Sequence, residues 1–325
     1  MPMRAAGDLA RAWGVGRLLV ARAVESLTVV VALASLVFVA LRWLPGDPAR
    51  LVLGDEASAA DLARVRSILH LDEPLWAQYA RFLRGLATLD LGDSYRRPGT
   101  LAMARVLGAL VPTAELAMVA VGLGAVCGIA AAIAASGPWL GPRARSSIEN
   151  VLVGMAAAPL LAFAPVATWA LAVRARVVPL PGDPDAGATG LLFAASLLAI
   201  PLAAHVGRIA RVALADVAKQ SFLTVAVAKG ARPIRVWCVH ALPTVAGPIA
   251  TVVAAQLGAL LGGAVVLERL FERWGLGMLI IEAYSTRDLP VLEGAVVASG
   301  LLFVAAQALG TAVHLAVDPR ARADR

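Results

Sequence analysis

"TVAVAKGARPIRVWCVHALP", residues 224–243, lies between two strongly apolar runs. Its reading decides how the chain is threaded. A connector between adjacent helices needs only about 2–8 residues. The polypeptide from Arg208 to Pro248 is far longer, and it carries Arg208, Arg211, Lys219, Lys229, Arg232 and Arg235 against one acid, Asp216. Apolar positions in "RIARVALADVAKQ" recur at helical spacing, and "SFLTVAVAKG" adds another amphipathic turn or two. Gly230 suits a helix C-terminus and Pro233 the first turn of the next helix. The stretch therefore predicts a short helix, a turn at Gly230, and a second helix leading into the next apolar run. Ala226 and Ala228 are small enough to let a partner approach closely. Lys229, Arg232 and Arg235 suit acids on a partner protein or anionic lipid headgroups, the latter worth about 1 kcal/mol per basic residue. Composition leaves both open.

The surroundings are those of a membrane protein. The chain has 325 residues, 60% of them hydrophobic and 16% charged, with a mean hydropathy of +0.78. A soluble domain is near half apolar and about a quarter charged. Here the apolar surplus falls in blocks. Six runs, roughly 18–42, 112–136, 148–173, 188–212, 247–271 and 293–317, approach the ~20 residues a helix needs to cross a bilayer. Lipid offers the backbone no hydrogen-bond partners, so these runs predict helices and the fold class is an all-α membrane protein. Glycines four apart, Gly124 with Gly128 and Gly258 with Gly262, suit close helix packing, although a chain so rich in Ala and Gly produces that spacing by chance.

The net charge of +7 and pI near 10.4 would suggest nucleic acid in a soluble protein. In this chain the arginines cluster beside apolar runs, as the positive-inside rule requires, and no nucleic-acid motif occurs. With six crossings, Arg143 and Arg145, the basic stretch at 208–235, and Arg320, Arg322 and Arg325 all share the side of the N-terminus. Arg174 and Arg176 are the exceptions. Both termini are expected in the cytoplasm. The first apolar run, about 24 residues, exceeds a secretory h-region of 7–15 and is read as an uncleaved span. Residues 44–100 then lie outside, where "ASAADLARVRSIL" and "PLWAQYARFLRGL" predict two short helices.

Several chemistries are missing from the sequence. The two lysines, Lys219 and Lys229, precede Gln220 and Gly230, so neither completes the Lys-Ser/Thr of a P-loop. The four histidines, His70, His205, His240 and His314, are scattered and none precedes a glutamate, which excludes the helical zinc-protease motif. Cys127 and Cys238 form neither a disulfide framework nor a metal-ligand spacing. Few ionisable residues sit deep in the runs, where a stand-alone ion-coupled carrier would need them. Glu115 lies just inside the second run. Glu268 and Arg269, near the end of the fifth, read as a membrane-end salt bridge. Gln256 and Thr168 read as hydrogen bonds between helices.

The basic stretch resembles the cytoplasmic coupling loop of bacterial ABC importer permeases, whose pattern is E-A-A-x-x-x-G. It is most similar to the B-type subunits of the dipeptide, oligopeptide and nickel importers. "LPGDP" at 44–48, "LHLDEPLWAQYARFLRGLATLDLGDS" at 69–94, "VPTAEL" at 111–116 and "QLGALLGGAVVLERLFERWGLGMLIIEAYSTRDLPVLEGA" at 256–295 resemble that family in order and spacing. "VDPR" at 317–320 is similar to its end. The positions carrying the resemblance are Pro45, Gly46, Asp47, Pro48, Gly92, Ser94, Pro112, Thr113, Glu115, Gly262, Gly263, Glu268, Gly275, Gly277, Asp288 and Pro290. Departures occur at Thr224-Val225, at Pro243-Thr244 and at Arg273-Trp274.

The resemblance implies a six-helix, type I importer fold: a first helix within 1–43, an external segment at 44–100, a core of five helices at 101–318, and a tail at 319–325. It implies a permease subunit for di- or oligopeptides, not an enzyme, in the bacterial inner membrane. A loop at about 213–246, with Thr224, Val225, Ala226, Ala228, Lys229, Gly230, Arg232, Arg235 and His240, would dock on an ATPase. Partners would be a homologous second permease, two ATP-binding subunits and an extracytoplasmic binding protein. ATP and Mg²⁺ would be bound by those partners and no metal by this chain. The alternative is a stand-alone secondary carrier or channel.

Overall fold

The computed structural model describes residues 24, 27–43, 47–53 and 57–317, and these are helical apart from turns and one isolated bridge between Asp93 and Leu101. In chain order the helices are α1 (Leu27–Arg42), α2 (Pro48–Leu53), α3 (Ala59–Ile68), α4 (Leu75–Thr88), α5 (Ala102–Ser136), α6 (Pro142–Ala157) and α7 (Leu160–Thr168). Then come α8 (Gly187–Val217), α9 (Ser221–Ala228), α10 (Pro233–Arg235), α11 (Ala246–Leu270), α12 (Leu276–Ser285) and α13 (Leu289–Val317).

Among the described residues, four helical stretches are long and apolar enough to cross a bilayer: Ala102–Ser136, Gly187–Val217, Pro233–Leu270 and Leu289–Gly310. The run expected at 148–173 is not one straight helix. It is α6 followed by α7 and its wider-wound continuation Trp169–Arg174, bent by 107°. The cause lies at Pro159, which restricts Ala158 to an extended conformation (φ −73, ψ 122), so the helix cannot run through. Of the first expected span only the part from Leu27 to Arg42 lies well within the described residues. The second run starts earlier than its apolarity suggests: α5 begins at Ala102 and passes through Pro112, a residue expected to weaken a helix interior.

The chain forms two compact units. One comprises residues up to Leu107 together with Leu279–Val304. In it Phe38 of α1 stacks on Phe82 of α4 at 5.8 Å between centroids and meets the Tyr79 ring edge-on at 5.1 Å. The Ser35 and Tyr79 hydroxyls are hydrogen-bonded at 2.6 Å. Helices α3 and α4 fall where the sequence predicts them. Ser58 caps α3 by accepting the Asp61 N–H, and Pro74 sets the entry to α4.

The other unit, Gly108–Met278 with the chain beyond Ala305, is built around α8. Leu198, Leu202 and Val206 on α8 are almost fully buried. Glycines on the neighbouring helices meet them: a Cβ at Gly124 would come within 2.8 Å of Leu202, and one at Gly128 within 2.6 Å of the Ala203 carbonyl. In α11 the close approach uses Gly263, where a Cβ would reach Leu198 at 2.8 Å, while Gly262 faces open space. Small residues thus bring helix backbones together, as lipid-embedded packing requires. Met118, Val126, Leu161, Val166 and Leu309 point outward, as lipid-facing side chains should.

Candidate functional site

The segment linking α8 to α11 has the geometry its sequence predicts. Helix α9 ends in a Schellman motif: the Gly230 N–H donates to the Val227 carbonyl at 2.9 Å and the Ala231 N–H to Ala226 at 3.2 Å. That motif needs a left-handed residue, and Gly230 supplies φ +78. Arg232 is then extended (φ −61, ψ 142) and Pro233 opens α10, where its missing N–H costs nothing. The helix continues through wider-wound turns at Val236–Ala241 and a tighter turn at Leu242–Val245 before becoming α11. Pro243 explains the break, since it brings no N–H to the ladder.

The side chains of this segment divide cleanly. Leu223 and Val236 are buried in the core of the second unit, and Ala226, Ala231 and Trp237 pack on it. Thr224, Val225, Val227, Ala228, Lys229, Gly230, Arg232 and Arg235 are exposed, while His240 is half-buried. Ala226 is half-buried, with one side against that core. Val225 and Val227, at 50% and 60% exposure, flank the outward side of α9 on opposite edges, since residues two apart point about 200° apart, and three exposed cations follow the helix. Exposed valines and three exposed cations thus meet at the end of a helix too short to cross a bilayer.

A second cluster surrounds Glu268, which is fully buried near the end of α11. Its carboxylate accepts the Thr113 hydroxyl, the Gly277 N–H at 2.7 Å and the Met278 N–H at 3.3 Å. Thr113 also accepts the Leu276 N–H at 2.8 Å. One carboxylate and one hydroxyl thereby satisfy the free N–H groups at the start of α12. The two glycines are required by closeness: a Cβ at Gly275 would sit 2.3 Å from the Glu268 carboxyl, and one at Gly277 2.6 Å from Val265. The expected Glu268–Arg269 salt bridge is absent. Arg269 is exposed while Glu268 is buried, because adjacent helical residues point about 100° apart. The ion pair in this neighbourhood is Glu115–Arg273 at 2.5 Å. Thr168, expected to bond across helices, instead donates to Ala164 one turn back in its own helix at 2.8 Å.

In the first unit the same kind of anchoring centres on Asp288, also fully buried. It accepts the Ser94 hydroxyl, the Tyr95 N–H at 3.0 Å and the Arg105 guanidinium at 3.4 Å. Arg105 also pairs with Glu282 at 2.9 Å, and Arg97 joins Glu282 at 3.3 Å. The loop 92–101 is thus pinned to the start of α13, with Gly92 at φ +76 making the turn and Pro290 buried in the first turn of α13. Asp47 accepts the Ala49 N–H at 3.0 Å and pairs with Arg66 at 2.7 Å, while Pro48 opens α2. Pro45 and Gly46 lie outside the described residues. The Arg105–Glu282 and Arg42–Glu293 pairs escaped the sequence reading, since nothing local marks a pairing between residues so far apart in the chain.

Residues 124–323 match the family model described as binding-protein-dependent transport system inner membrane component, and residues 15–118 match its N-terminal companion. A peptide transport system permease protein of Brucella abortus is 31% identical over 314 residues, covering 94% of this chain and 99% of that one. The glutathione transport system permease protein GsiC of Pectobacterium atrosepticum is 32% identical over 292 residues, covering 88% and 92%. The inward-facing MetNI methionine ABC transporter shares the fold, with a TM-score of 0.54 at 16% identity over 66% of this chain and 97% of that one.

Proposed function

The chain belongs to the inner-membrane components of binding-protein-dependent transport systems, the permease subunits of ABC importers, and from that premise we propose that residues from about 213 to 246 are its docking loop for a separate ATPase. Membership makes it a multi-pass transport subunit, not an enzyme, and favours an assembly over a stand-alone carrier. The family implies ATPase, binding-protein and second-permease partners. Our reading adds their arrangement. Two permeases would each form half of the pathway, two ATPase subunits would bind ATP and Mg²⁺ inside, and both termini of this chain would be cytoplasmic. Residues 44–100 would then lie outside and contact the binding protein or cap the pathway.

The observation that carries the coupling reading is α9 itself: a short helix fixed on the core by Leu223, with Thr224, Val225, Val227 and Ala228 exposed and three exposed cations just after it. A rigid handle with an exposed face transmits displacement, whereas a flexible connector absorbs it. When ATP closes the ATPase pair, α9 would move and carry α8 and α11 with it, exchanging the openings of the pathway. Binding to headgroups would need the cations but not a helix held rigidly on the core. The cargo we assign is small peptides, on the names of the two relatives above.

The reading is tested by Gly230→Pro in the reconstituted complex. Proline cannot adopt φ +78 and lacks the N–H given to Val227. Import should be lost while the ATPase subunits retain hydrolysis. Import at the wild-type rate would overturn the coupling role.

A further inference from the structure

We propose that the cavity of about 380 Å³ inside the first unit is a binding site for a small zwitterion, of the amino-acid or dipeptide class. The inference deepens the peptide reading above and rests on it for the choice of probe.

The cavity arises where two helices stop. Helices α3 and α4 both end on left-handed residues, His70 (φ 56) and Leu89 (φ 56), which turn the chain toward a common space. After the first, Leu69 and His70 line that space; after the second, Asp90, Leu91 and Asp93 do. Arg42, Arg81, Tyr95 and Glu293 add to the wall, with Phe82 and Leu91 as apolar lining. Ligand sites range over about 300–1,000 Å³, so this volume suits a small molecule and not a long peptide.

The charges specify what kind. Arg42 is committed to Glu293 and lies 3.7 Å over the Phe38 ring. Arg81 gives one nitrogen to both oxygens of Glu73 at 2.6 Å, and a guanidinium has further N–H donors beyond that one. Asp90 and Asp93 enter none of these ion pairs. Each accepts one loop N–H, from Gly92 and Gly99 respectively, both at 3.0 Å and through a single oxygen. Asp90 and Asp93 are exposed at the rim, and two carboxylates with no cation partner among the described residues attract an ammonium, while an incompletely used guanidinium accepts a carboxylate. Burial pushes the Tyr95 phenol up, so that group stays protonated; its one proton goes to the Leu69 carbonyl at 3.4 Å and its oxygen can accept. A ligand carrying both charges, with a short apolar part against Phe82 and Leu91, matches the charged and apolar parts of this lining. In the proposed orientation the cavity lies on the outer side, where cargo released from a binding protein would arrive.

The test uses the purified permease–ATPase complex in nanodiscs, without binding protein, titrated calorimetrically with L-alanyl-L-alanine. Saturable binding is expected, weakened at least tenfold by N-acetylating the dipeptide and at least tenfold by the pair Asp90→Asn and Asp93→Asn. Asparagine keeps the carbonyl acceptor for Gly92 and Gly99, so the loop should hold. If the pair fails to fold, Asp93→Asn alone and the N-acetylated ligand decide. Absence of saturable binding, or binding indifferent to both changes, overturns the site. Binding-protein-driven dipeptide import in the same preparation separates the two readings. Import without this binding sinks the cavity alone, and binding without import sinks the cargo assignment alone.

Discussion

The Glu268 carboxylate and the Gly277 N–H, 2.7 Å apart, join the end of α11 to the beginning of α12. Replacing Glu268 by Leu would leave the Thr113 hydroxyl and two N–H groups buried without their acceptor. Each such loss costs about 1–3 kcal/mol. We expect Glu268→Leu to lower the melting temperature of the purified permease clearly, and Glu268→Gln, which keeps one acceptor, to lower it less. Equal melting of both variants and wild type would contradict the cradle.

Gly275 tests the same cradle from the other side. An alanine there would place its Cβ 2.3 Å from the Glu268 carboxyl, which must then move off its donors. Overpacking of this kind costs about 1–3 kcal/mol. Gly275→Ala should destabilise the wild-type protein strongly and the Glu268→Ala background hardly at all, as read by a double-mutant cycle of thermal unfolding.

Asp288 is the stronger anchor. Its removal leaves the buried Arg105 guanidinium with Glu282 as its one remaining carboxylate and takes their acceptor from the Ser94 hydroxyl and the Tyr95 N–H. Each buried donor left without its acceptor costs about 1–3 kcal/mol. Asp288→Ala should expose the loop 92–101 to proteolysis and raise its amide exchange. An unchanged cleavage pattern would show that the loop is held elsewhere.

Glu73 supplies a pH dependence. Hydrogen bonds from Arg81, with smaller contributions from the Arg81 and His70 charges, hold its carboxyl below the usual carboxylate range. A depressed folded value stabilises at pH above the unfolded value, and that contribution is lost as pH falls through the folded value. The junction of α3 and α4 should therefore loosen only in acid, seen as faster amide exchange over residues 71–78. Arg81→Ala should move that onset to higher pH. The effect is small, because the pair is solvent-accessible.

How much of this was legible beforehand depends on whether the cause is local. Gly230, Pro233 and the helix between Ser221 and Ala228 are fixed by neighbours in sequence, and their turn chemistry could be read directly. The same holds for α3, α4 and the apolar runs. The 107° bend was marked by Pro159, but it was hidden inside a run whose apolarity suggested one span. The role of Glu268 was misread because burial and the partner Thr113 come from distant parts of the chain. The departure at Arg273 likewise made sense only once Glu115 stood opposite. Motif residues flagged by resemblance, such as Ser94 and Asp288, acquired a physical reason only when their contact was seen.

The central claim, that α9 is the handle on which an ATPase pulls, is tested most directly by Val227→Cys in the assembled complex. Val227 is 60% exposed, so the substitution should disturb nothing within the chain. A short bifunctional reagent should join it to an ATPase subunit, with a yield that changes when ATP is bound. A thiol at 227 that forms no such adduct and reacts instead with an impermeant label added from outside would contradict both the docking role and the orientation.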